Sequence, residues 1–144
     1  MSKRIINPQD TLIGIDYGEV KTGIALGRNS FVTPLNTFTN LSKETLIHEI
    51  IKVAMENKVV GFVLGIPLQA DNKETRQSLV VRSFGKLLKV LSRKPVYLQN
   101  EYGSTEDSIR EAIENGVPQN KRSKNDHLAA TLILKNFYKE QNDL

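Results

Sequence analysis

The run Val59-Val-Gly-Phe-Val-Leu-Gly-Ile66, closed by Pro67, constrains the fold more than any other stretch of the chain. It carries no polar side chain, so neither face of a strand built from it suits water. A strand covered on both faces belongs inside a sheet flanked by helices. Its neighbours in sequence supply them. Leu46, Ile47, Ile50, Ile51, Ala54 and Met55 recur at helical spacing behind Ser42, a good N-cap, with Glu44 favourable in the first turn. Glu74 to Leu91 reads as a second helix, with Leu79, Val80, Phe84, Leu87, Leu88 and Leu91 on one side.

Ahead of this unit lie three short strand patterns, Thr11 to Asp16, Thr22 to Arg28 and Phe31 to Phe38. Connections this short join antiparallel neighbours. Pro34 demotes the third strand to an edge or a bulge. Beyond the second helix, Pro95 to Gln99 is a fifth strand. Ser104 to Asn115 is a helix with a capping-box start and Gly116 and Pro118 as its stop, and Asp126 to Tyr138 is a last helix with Leu128, Leu132, Ile133 and Phe137 as its stripe. The expected fold is α/β: a five-stranded mixed sheet, its first three strands antiparallel and strands 1, 4 and 5 parallel, flanked by helices. With 144 residues and no repeat or linker, one domain spanning 1–144 is expected.

Composition removes several functions. The absence of cysteine excludes disulfides, thiolate metal sites and a cysteine nucleophile. No apolar run approaches the roughly 20 residues that span a bilayer, and no secretory signal is evident, so a cytoplasmic protein without a membrane partner is expected. A net charge of +4 makes nucleic acid a plausible partner.

The chemistry gathers at strand ends. If strands 1, 4 and 5 are parallel, Asp16, the Gly65-Ile-Pro67 turn and Asn100-Glu101 emerge at one edge, where open α/β sheets bind ligands. Strands separated by one other lie about 9.6 Å apart. Asp16 and Glu101 leaning inward could then meet at divalent cations, and Asp126 completes the set if the last helix crosses that edge. Oxygen donors without His or Cys favour Mg²⁺ or Mn²⁺ over zinc. Each carboxylate also has a plainer role. Asp16 before Tyr-Gly suits a turn, Glu101 a solvated loop, and Asp126 a helix cap behind Ser123.

Four ordered motifs carry a family resemblance. Ile13-Gly-Ile-Asp16-Tyr-Gly18 with Lys21 and Gly23-Ile-Ala25, then Gly65-Ile-Pro67-Leu68, then Pro95-Val-Tyr-Leu with Asn100-Glu101-Tyr-Gly-Ser104-Thr105, and finally Asp126-His-Leu-Ala129-Ala130 with Ile133-Leu134 and Tyr138, span nearly the whole chain. Together they resemble the YqgF/RuvX family of RNase H-like proteins, related to Holliday junction resolvases. The resemblance implies an RNase H-like fold and a metal-dependent hydrolase that cuts phosphodiester bonds. It assigns Asp16, Glu101 and Asp126 as metal-binding catalytic carboxylates and Lys21 as a phosphate contact. It implies nucleic-acid partners, precursor small-subunit rRNA first and branched DNA second, with ribosomal assembly intermediates as further partners. The departures are Asn100 for the usual Asp, Tyr102-Gly103 for the usual Arg and its neighbour, and Lys21 where Arg is common. An arginine that grips phosphate bidentately is therefore missing twice.

Two further features bear on binding. Arg82, Lys86, Lys89 and Arg93 fall at steps of 4, 3 and 4, one helix face that suits a phosphate backbone or, equally, plain solvent. Lys121, Arg122 and Lys124 precede Asp126 and would lie beside the site if Asp126 belongs to it. An actin- or hexokinase-like phosphotransferase shares the Asp-x-Gly turn but needs two such subdomains, too much for this chain. A binding module that kept the fold and lost its chemistry remains the rival to an enzyme.

Overall fold

The computed structural model describes residues 6–101 and 126–142. Five strands, β1 (Thr11–Asp16), β2 (Lys21–Arg28), β3 (Phe31–Thr39), β4 (Gly61–Ile66) and β5 (Val96–Asn100), form one sheet in the order β3-β2-β1-β4-β5. β1 pairs antiparallel with β2 and β2 with β3, whereas β4 runs parallel to both β1 and β5. Among the described residues three helices accompany the sheet: α1 (Lys43–Glu56), α2 (Arg76–Ser92) and α3 (Asp126–Asn142). The helix expected over Ser104 to Asn115 lies outside the described residues, as do Tyr102, Gly103, Lys121, Arg122 and Lys124.

Every residue of β4 is buried, as its apolar run requires. Pro34 meets both conditions placed on it. β3 is an edge strand, and the register slips where Ala25 pairs with Pro34 and Ile24 with Asn36, leaving Leu35 as the extra residue. Ser42 caps α1 by accepting from the Thr45 N–H, and Thr75 with Ser78 forms a reciprocal capping box on α2.

Two cores lie on opposite faces of the sheet. Ile13, Ile15, Ile24, Phe62, Leu64 and Ile66 pack under α1 and α2. Leu12, Ala25 and Val63 pack under α3 against Ala130, Ile133, Leu134, Phe137 and Tyr138. The period of two sends alternate residues of β1 to opposite faces, so Asp16 shares the α3 face with Leu12 and Gly14.

Three expected core positions are corrected. Met55, Leu79 and Leu91 are 72%, 56% and 46% exposed, and the buried line of α2 is Ser78, Val81, Phe84, Gly85 and Leu88. That line is rotated from the expected stripe because Gly85 lets the helix settle on Leu64. A Cβ on Gly85 would stand 2.9 Å from Leu64 Cδ2.

Candidate functional site

Glycines set the seat of α3. A Cβ on Gly14 would reach 3.0 Å from the Ala130 carbonyl oxygen and collide with Leu134. One on Gly27 would collide with Tyr138, and one on Gly65 with Ile133. The helix therefore lies directly on the backbones of β1, β2 and β4. Gly27 pairs with Leu12, so Tyr138 sits at the level of Leu12 and Ala130 at the level of Gly14. α3 thus runs antiparallel to β1. One more turn takes it about 6 Å to Asp126, while β1 advances about 6.6 Å from Gly14 to Asp16. The backbone of Asp126 and the end of β1 arrive at the same edge. The side chain of Asp126 lies outside the described residues.

Asp16 is the last residue of β1, half-buried, and pairs with Gly23. The loop that follows is closed by Thr22, whose buried hydroxyl donates to the Gly18 carbonyl at 3.1 Å and accepts from its N–H at 3.3 Å. Tyr17 stacks on Phe84 of α2 with ring centroids 4.0 Å apart. This anchors the residue after Asp16 on the α2 side of the sheet, while Asp16 keeps to the α3 side. Lys21 opens β2 and is exposed.

Glu101 follows β5. Its N–H donates to the Ile66 carbonyl at 3.0 Å, which continues the parallel ladder by one step. Tyr97 stacks on Phe137, and Gln99 donates to Glu140 at 3.1 Å, so the alternation carries Glu101 to the α3 face. There its carboxylate lies above Gly65, between β1 and the end of β5. Burial, and secondarily the charge of Asp16, push the Glu101 carboxyl up to about 7. Asp16 and Glu101 are thereby brought together. Among the described residues no third His, Cys, Asp or Glu joins them in a metal-binding group. Asn100 points the other way along the alternation, and its amide donates to Asn72 Oδ1 at 3.2 Å in the turn after β4.

The basic stripe is divided. Arg82, Lys86 and Lys89 line a shallow groove between α2 and β5 with Gly85, Val96 and Leu98. Arg93 is not on the helix face: it is the C-cap of α2, in the left-handed region at φ 58°. Arg82 is not an independent cation, because Glu74 accepts from its Nε at 2.7 Å and its Nη2 at 2.8 Å. This pair lowers the Glu74 carboxyl and raises the Arg82 guanidinium. The stripe flanks the α2 face, away from the carboxylates on the α3 face.

Sequence reasoning placed Gly65 at the edge but missed its role beside Glu101, and it missed the roles of Thr22 and Glu74. The glycine within the apolar run of β4 was the available signal for Gly65, since a strand interior keeps glycine where another group approaches closely.

The family model for RuvX, described as Holliday junction resolvase, matches residues 10–140. The chain belongs to the RuvX family. Two relatives bear the name "Putative pre-16S rRNA nuclease". The one from Rickettsia canadensis (strain McKiel) is 34% identical over 134 residues, covering 91% of this chain and 87% of its own length. That from Rickettsia bellii (strain OSU 85-389) is 32% identical over 144 residues, covering 98% and 94%. Among solved structures, Thermus thermophilus RuvC bound to a Holliday junction superposes with a TM-score of 0.57 at 12% identity, over 92% of this RuvX chain and 96% of the other. The fowlpox virus resolvase with its junction gives 0.55 at 13% identity, over 92% and 98%. These two likenesses establish the resolvase-type RNase H-like fold for the RuvX chain. Among the described residues no helix is long and apolar enough to cross a membrane.

Proposed function

We propose that this chain is a cytoplasmic, divalent-metal-dependent nuclease that hydrolyses phosphodiester bonds in the small-subunit rRNA precursor, alone or within ribosomal assembly intermediates. The observation that carries the reading is the approach of Asp16 and Glu101 from strands separated by β4, with Glu101 half-buried and its carboxyl raised to about 7. Two repelling carboxylates in a half-buried pocket fit a cation that offsets their charge. Their hard oxygen donors suit Mg²⁺ or Mn²⁺. Asp16 and Glu101 would hold it, with Asp126 of α3 as the proposed third ligand. When bound, such ions activate water and stabilise the leaving oxygen in phosphodiester hydrolysis.

The chain's own residues set the geometry. Thr22 and Tyr17 fix the turn that aims Asp16, and the missing side chain of Gly65 leaves room for the Glu101 carboxylate. Lys21, at the far end of that turn, is the proposed phosphate contact. RNA is preferred over branched DNA because the relatives at 34% and 32% identity are named for pre-16S rRNA, whereas the junction-bound structures share only the fold. The family description keeps branched DNA as the second substrate.

The test is cleavage of end-labelled small-subunit rRNA precursor in Mg²⁺ or Mn²⁺ by wild type and by Asp16→Asn, with RNA binding measured alongside. Cutting by the wild type alone, with binding retained in both, is expected. Equal binding with no cutting by either would overturn the nuclease reading in favour of a binding module. Equal cutting would remove Asp16 from the site.

A further inference from the structure

The groove between α2 and β5 is not accounted for by the carboxylate edge. Its floor is apolar, formed by Val96, Gly85 and Leu98, and Leu98 is 42% exposed although it sits on a strand. One wall carries Arg82, Lys86 and Lys89. Among the described residues β5 is the edge strand of the sheet, and none of them forms a second wall. Glu74 and Ser78 fix the first of these cations: Glu74 takes Nε and Nη2 of Arg82, while the Ser78 hydroxyl donates to Glu74 at 3.0 Å. A guanidinium held in this way keeps its Nη1 donors for a second acceptor.

The groove also has a direction. Thr75 at the start of α2 donates to the Pro67 carbonyl at 2.8 Å, which ties the helix N-terminus to the edge where β4 ends. Lys89, Lys86 and Arg82 therefore follow one another toward that edge, at helical rises of about 4.5 and 6 Å. A single strand can lay its sugars and bases on the apolar floor and its phosphates on the cationic wall, whereas the stacked bases of a duplex offer the floor no face.

We propose that this groove is a second nucleic-acid contact, which receives a single-stranded RNA flank of the substrate and leads it along β5 toward the sheet edge at which Glu101 follows the strand. It rests on the proposed function for its RNA ligand and for the site toward which the strand is led. Net attraction comes chiefly from Lys86 and Lys89, because Glu74 offsets the charge of Arg82.

The experiment is fluorescence anisotropy of a labelled, unstructured RNA oligonucleotide at 50 to 200 mM salt, in the Asp16→Asn background so that nothing is cut. Lys86→Gln/Lys89→Gln is compared with Lys52→Gln/Lys58→Gln, which removes the same charge from exposed positions on α1 and just after it. The groove variant is expected to bind roughly tenfold more weakly at the lowest salt, with the log–log salt slope reduced by about 1.4, while the α1 control stays near the parent. Equal losses in both variants, or none in either, would overturn the proposal. So would competition by a glutamate-rich peptide as strong as that by RNA, or tighter binding of the matching DNA strand. Because cleavage is absent by design, these results stand or fall separately from the nuclease reading.

Discussion

The carboxylate of Glu101 occupies the space that a side chain on Gly65 would fill: a Cβ there would stand 2.9 Å from Glu101 Oε2 and 3.0 Å from Ile133 Cγ1. Gly65→Ala must therefore displace the carboxylate, the isoleucine or both. Overpacking of this kind costs about 1–3 kcal/mol. We expect the variant to unfold at lower urea and to bind Mn²⁺ more weakly, by calorimetry, while retaining RNA binding. Unchanged Mn²⁺ affinity would mean that Glu101 does not depend on this gap.

The raised carboxyl of Glu101 makes stability pH-dependent in the absence of metal. Its folded value, about 7, lies above the ordinary 4.5, so the folded state holds the proton more tightly than the unfolded chain. Stability is then fully present below about pH 4.5, falls as pH rises through the interval, and levels off above about 7. The full change is on the order of 3 kcal/mol. Urea denaturation in EDTA at pH 5 and pH 7.5 should show it, and Glu101→Gln should flatten it. A Glu101→Gln profile as steep as the wild type would assign the slope to other groups.

Thr22→Val keeps the shape of a buried side chain but leaves the Gly18 N–H and carbonyl without their hydroxyl partner. The expected cost is about 1–3 kcal/mol, seen as a lower denaturant midpoint. Because this hydroxyl closes the turn after Asp16, cleavage should fall more than RNA binding. A variant with lower stability and normal turnover would limit Thr22 to a structural role.

Gly14 and Leu134 should be energetically coupled. Gly14→Ala collides with Leu134 and crowds the Ala130 carbonyl, at a cost of about 1–3 kcal/mol. In the Gly14→Ala/Leu134→Ala double variant, the new methyl finds part of the space vacated by Leu134. The double variant should therefore be less destabilised than the sum of the singles, by roughly 0.5–2 kcal/mol. Strict additivity would mean that α3 is not seated on Gly14 through Leu134.

Where each residue has one dominant neighbour along the chain, the sequence was sufficient to read the structure. Ser42 caps α1, Pro34 lies at an edge and beside a bulge, and β4 is buried throughout because a run without polar side chains has no other place. The positions of Asp16 and Glu101 at one edge followed from parallel strand ends alone. What escaped depends on contacts between distant segments. Leu79 and Leu91 match a helical stripe, but the phase of α2 is set by Gly85 meeting Leu64, a pairing that spacing cannot reveal. Arg82 looked like a free member of a basic face because Glu74, eight residues away, is beyond the i,i+4 reach along a helix surface. Arg93 looked helical until the chain turned into the left-handed region to end α2.

The glycine-lined seat of α3 has a consequence for how the protein is made. Asp16 and Glu101 leave the ribosome well before Ile133, yet Ile133 helps to enclose the Glu101 carboxylate over Gly65. A nascent chain that has built all five strands still lacks the Ile133 side chain over Gly65. The pocket wall beside Glu101 is thus completed by the segment of the described chain that is synthesised last.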